Sequence, residues 1–89
     1  MSMEQIAGIL VHARPDLTPE VALRLGRLPG VSVQEDLGGG RLIVVIESSG
    51  ERQMVETFTG IRDIEGVLSA SLTYHYTDHT GSLEEEIPA

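Results

Sequence analysis

The chain is predicted to fold as an α+β sandwich: a four-stranded antiparallel sheet with two helices on one face and the element order βαββαβ. Three observations predict it. Two segments of helical spacing, one after Thr18 and one after Ser48, alternate with four short segments in which apolar residues recur every second position. The glycines Gly38, Gly39 and Gly40 join the two middle strands as a hairpin. The joint Leu28, Pro29, Gly30, Val31 returns 36 positions later as Ile64, Glu65, Gly66, Val67, so each half of the chain passes from helix to strand in the same way.

Ile6 to His12 reads as the first strand, closed off by Arg14, Pro15 and Asp16. A helix should follow at Thr18, Pro19 and Glu20, with a hydroxyl cap, a proline where the missing N–H costs nothing, and an acid at the positive end of the dipole. Val21, Ala22, Leu25 and Leu28 form its apolar stripe, and Pro29 ends it. Val31 to Glu35 is the second strand. The stretch from Asp36 to Gly40 is a hairpin rather than a phosphate loop, because no Lys and Ser/Thr pair follows and the next element is a strand. Arg41 to Glu47 is the third strand, with Leu42, Val44 and Ile46 directed to the core. Ser48 and Glu51 have the spacing of a capping box ahead of a helix whose stripe is Met54, Val55, Phe58 and Ile61.

The last strand begins after Gly66. Strict alternation sends Leu68, Ala70, Leu72 and Tyr74 inward, and Val67, Ser69, Ser71, Thr73 and His75 outward. Two interleaved βαβ halves give the ferredoxin-like arrangement, with strand order 4-1-3-2 and one sheet face bare. Residues 1–76 form the single domain, and 77–89 an acidic tail expected to be disordered.

Composition narrows the function. The 89 residues carry no cysteine, which excludes disulfides, thiolate metal sites and thiol nucleophiles. The net charge of −8 and six dispersed arginines speak against nucleic acid, which needs a basic stripe. The apolar runs Ile6 to Val11 and Leu42 to Ile46 are far shorter than the ~20 residues of a membrane span. No basic residue precedes Arg14, so no leader is expected and the cytoplasm is the expected compartment. His12 and His75 fall at opposite ends of antiparallel strands, and His79 lies in the tail, so no metal site is expected. Neither a nucleophile elbow nor a triad is present. The chain is read as a non-enzyme without a cofactor.

The bare face is the candidate site. Its expected peptide-binding residues are Ile6, Gly8, Leu10, Ile43, Val45, Glu47, Ser69, Ser71 and Thr73. Gly8, Ser69 and Ser71 should make a shallow trough beside the aliphatic side chains, and the acids Glu4, Glu35, Asp36 and Glu47 should stand near its rim. Such a groove suits an amphipathic helix. Pattern alone leaves a foreign peptide and a second copy of the chain equally open. A self-associating or small-ligand-binding regulatory module is the alternative function, and addition of a peptide strand at a sheet edge the alternative mode.

Gly8 to Ala13 (GILVHA), Leu28 to Val31 (LPGV), Gly40 to Glu47 (GRLIVVIE) and Glu65 to His75 (EGVLSASLTYH) together resemble the NapD family, assembly chaperones of periplasmic nitrate reductase. The likeness spans roughly residues 6 to 76. It implies a cytoplasmic chaperone, monomer or weak dimer, that binds the twin-arginine signal peptide of the nitrate reductase catalytic subunit. Binding would delay export through the Tat translocase until the molybdenum cofactor is in place. A signal of that kind has a basic start and an apolar middle, which an apolar trough with acids at its rim would suit. Glu47 is the first choice for an arginine partner, since it shares a face with Ile43 and Val45.

Overall fold

A computed structural model describes residues 4–78. The elements are β1 (Glu4–Ala13), a single 3-10 turn (Pro15–Leu17), α1 (Thr18–Arg27), β2 (Val31–Gly38), β3 (Arg41–Ser48), α2 (Glu51–Arg62) and β4 (Val67–Asp78). The sheet runs β2-β3-β1-β4, all neighbours antiparallel, which is the expected 4-1-3-2 order. β4 extends to Asp78, two residues past the expected end of the domain. The remainder of the expected tail, 79–89, lies outside the described residues.

One face of the sheet packs on both helices. Ala7, Ile9, Val11 and Ala13 of β1, Leu42, Val44 and Ile46 of β3, and Val31 of β2 meet Val21 and Leu25 of α1 and Met54 and Ile61 of α2 in one core. The alternation in β1 and β3 therefore holds as the sequence implies. Removing the valine, leucine, isoleucine and methionine side chains from water supplies about 1.5 to 3 kcal/mol apiece, which is how a core with three aromatic residues in the whole chain sustains the fold.

The repeated joint is real. Gly30 and Gly66 both hold positive φ, 77° and 99°, and in each joint the following valine N–H reaches back three residues, Val31 to the Leu28 carbonyl at 3.2 Å and Val67 to the Ile64 carbonyl at 3.1 Å. An L side chain is disfavoured at both glycines by φ, and at Gly66 a Cβ would also sit 2.9 Å from Cγ2 of Val21. These turns set where β2 and β4 enter the sheet.

Both helix starts differ from expectation. Thr18 is the first residue of α1 rather than its cap, and its hydroxyl donates to the Arg14 carbonyl at 3.1 Å, tying the helix to the 3-10 turn. α2 begins after Gly50 with no side-chain cap. The capping box is not formed, because Ser48 belongs to β3 and its hydroxyl donates to the Gly50 carbonyl, while Ser49 donates to the Gln53 side chain from both its N–H and its hydroxyl.

Candidate functional site

The face opposite the helices is built from alternate residues of four strands. Along β1 it carries Ile6, Gly8, Leu10 and His12, paired across to Glu47, Val45, Ile43 and Arg41 of β3. On the other side of β1, Leu10 pairs with Ser71 and His12 with Ser69. The register thus brings Ile6, Gly8, Leu10, Ile43, Val45, Glu47, Ser69 and Ser71 onto one surface. Ile6, Leu10, Ile43 and Val45 are each half-buried and adjacent, a small apolar patch without a helix over it among the described residues.

β4 departs from strict alternation at two places, and the site changes with it. Between the pairs Ile9–Leu72 and Gly8–Tyr74 the residue Thr73 is extra, a bulge that swaps the faces of everything after it. Leu72 stays on the helical side, but Tyr74 crosses to the open face and His75 crosses inward, where its Nε2 lies 3.0 Å from Oε1 of the buried Gln5. The expectation that Tyr74 faces the core and His75 faces out is overturned. A second bulge at Leu68 does the same at the start of the strand: Val67 packs on the core, and Leu68 is exposed.

The bulge also fills the expected trough. The Tyr74 ring lies where a side chain on Gly8 would be, with Cδ2 2.6 Å and Cζ 2.7 Å from a Cβ built there. Gly8 is therefore buried, and the ring, half exposed, stands among the aliphatic residues as part of the surface. Thr73 turns its hydroxyl to the Gly8 carbonyl, donating at 2.8 Å, and so pins the bulge instead of lining a channel. The sequence carried a hint of this. A glycine in mid-strand marks either a bulge or the close approach of another group, and Gly8 faces both.

Of the four expected rim acids, Asp36 alone departs from expectation. A bulge at Gln34 places Glu35 opposite Ile43, hence on the open face, whereas Asp36 pairs with Leu42 and accepts the Gly38 N–H at 2.8 Å in the hairpin. Asp36 is removed from the rim. Glu35 and Glu47 are exposed, and neither joins an ion pair among the described residues, where only Arg14 and Asp16 do so. Glu4, exposed, sits beyond Ile6 at the same end as Glu47.

A separate groove of about 220 Å³ opens on the helical side, between α2 and β4, lined by Met54, Val55, Phe58, Leu72 and the Gln5–His75 pair among others. No group of three or more His, Asp or Glu residues suited to a metal ion occurs among the described residues. No described helix is long and apolar enough to cross a membrane.

Comparison with known proteins gives one consistent family. The profile of the NapD protein family matches residues 4–79. Chaperone NapD of Escherichia coli K12 is 33% identical over 85 residues, 94% of each chain, and Chaperone NapD of Haemophilus influenzae is 26% identical over 74 residues, 82% of this chain and 80% of that one. The fold superimposes on the solution structure of the E. coli Tat proofreading chaperone protein NapD with a TM-score of 0.76 at 30% identity, covering 97% of this chain and 90% of that one. The relatives are chaperones by name, in keeping with the reading of a non-enzyme. A match over nearly the whole chain, on top of the expected fold, makes the protein a member of the NapD family of chaperones.

Proposed function

We propose that this chaperone binds the twin-arginine signal peptide of the periplasmic nitrate reductase catalytic subunit on its open sheet face. It does so in the cytoplasm and delays Tat export until the enzyme holds its molybdenum cofactor. The observation that carries the reading is the surface itself: Ile6, Leu10, Ile43, Val45 and the Tyr74 ring form a contiguous apolar patch with exposed acids at Glu47 and Glu35, neither in an ion pair among the described residues. A peptide with a basic start and an apolar middle matches that combination. The name of the structural relative, a Tat proofreading chaperone, agrees with it.

The peptide is held as a helix laid over the open face. Its apolar side displaces water from the patch and supplies most of the affinity, at about 25 cal/mol per Å². The acids orient it, since an exposed charge pair contributes only about 0.2 to 1 kcal/mol. Isothermal calorimetry with a synthetic twin-arginine signal peptide tests the reading. Heat of binding that disappears with Leu10→Asp, a substitution on the open face, supports it; equal affinity in the wild type and Leu10→Asp overturns it. Light scattering on the free protein separates the alternative, a regulatory module that closes the same face with its own copy.

A further inference from the structure

The open face has two unlike ends. At one end stand Glu4 and Glu47, both exposed, with Tyr74 just inward of them opposite Gly8; at the other, six residues along β1 from Ile6, His12 pairs with Arg41. Glu35 flanks the middle from β2, opposite Ile43. The distance from Ile6 to His12 is about 20 Å at 3.3 Å per strand residue, the length of a helix of about 13 residues.

From this asymmetry, and resting on the peptide-binding reading above, we infer that the face fixes the direction of the bound peptide. An arginine side chain is seated between Glu47 and the exposed face of Tyr74, and the apolar segment runs from there over Val45, Ile43 and Leu10 toward Arg41 and His12. The ring rests over Gly8, and Glu47 pairs with Ile6 two residues away, a diagonal of about 7 to 8 Å between backbones. A guanidinium fits that interval: its plane stacks on an aromatic face while its edge forks to a carboxylate, which an ammonium does less well. The far end completes the match. The carbonyl end of a helix carries partial negative charge, and the side chains awaiting it are Arg41 and His12. The reverse direction would set arginines against Arg41 and leave Glu4 and Glu47 facing the negative end of the helix.

Photo-crosslinking to the full chain tests the direction. The probe is a synthetic peptide with two consecutive arginines ahead of an apolar helix-forming segment, carrying benzophenone at its N-terminus or, in a second peptide, at its C-terminus. The N-terminal probe should attach near Ile6 and Glu47, and the C-terminal probe near His12 and Arg41, as fragment mass spectra locate the adducts. The opposite pattern, or adducts scattered alike from both probes, overturns the inference while leaving peptide binding intact. Absence of binding by either peptide overturns the proposed function itself. Replacing both arginines of the peptide by lysine should weaken binding about 2- to 5-fold to the wild type and hardly at all to Tyr74→Leu, given the ~0.5 to 1 kcal/mol of an exposed cation–π contact. An equal loss in both proteins removes Tyr74 from the seat.

Discussion

The Tyr74 ring covers Gly8, a residue of the neighbouring strand, so the glycine is buried by a side chain that is itself half exposed. The pair couples the stability of the strand to the shape of the open face. Gly8→Ala would ordinarily gain about 0.5 to 1 kcal/mol in a strand, but here the new methyl group drives the ring away. We expect a net loss of about 1 kcal/mol by urea denaturation, and a gain of about 0.5 kcal/mol when the same change is made in Tyr74→Ala. Additivity of the two substitutions would show that the ring does not rest there in solution.

Thr73→Val removes the hydroxyl that pins the bulge to the Gly8 carbonyl while keeping the shape of the side chain. The expected cost is about 1 kcal/mol, that of one net hydrogen bond. Amide exchange near Gly8 and Tyr74 should quicken, with the α1 amides unchanged.

The glycines of the repeated joint are predicted to be intolerant of a side chain, unlike Gly26. Gly66→Ala combines φ of 99° with contact against Val21 and should cost about 2 to 3 kcal/mol in thermal or urea unfolding. Gly26→Ala, inside α1 with open space around it, should instead stabilise by about 0.5 to 1 kcal/mol.

Binding should divide into a salt-sensitive and a salt-insensitive part. Leu10→Ser removes half-buried apolar surface from the open face and should weaken a twin-arginine peptide about tenfold at every ionic strength, equivalent to about 1.4 kcal/mol. Glu47→Gln should weaken it about threefold at low salt, and the difference from wild type should vanish by about 1 M, where charges are screened within about 3 Å. Titration calorimetry over a salt series reads both.

Much of this was legible from residue spacing. β1 and β3 alternate without interruption over the described registry, so the core positions Ile9, Val11, Leu42, Val44 and Ile46 and the outward positions Ile6, Leu10, Ile43 and Val45 follow from counting by two. The glycines of the hairpin and of the two joints announced their turns by composition. What counting could not deliver lies in β2 and β4, the edge strands, where extra residues at Gln34, Leu68 and Thr73 reset the alternation. An extra residue leaves no mark in composition, because the pairing partner decides where it falls. Tyr74 and Glu35 reached the open face by that route, and Asp36 was drawn off it. The helix caps failed for a related reason: Ser48 was claimed by the strand before the helix could use it.

The unpaired residue at position 73 has an implication for how such a surface can diversify. A chain one residue shorter at that point would keep its tyrosine over Gly8 in an unbroken ladder, whereas the same chain with Thr73 taken into the pairing would hand the tyrosine to the interior and the histidine to the guest. Selectivity in this architecture can thus be rewritten by a one-residue slip of an edge strand, with no exchange of one amino acid for another.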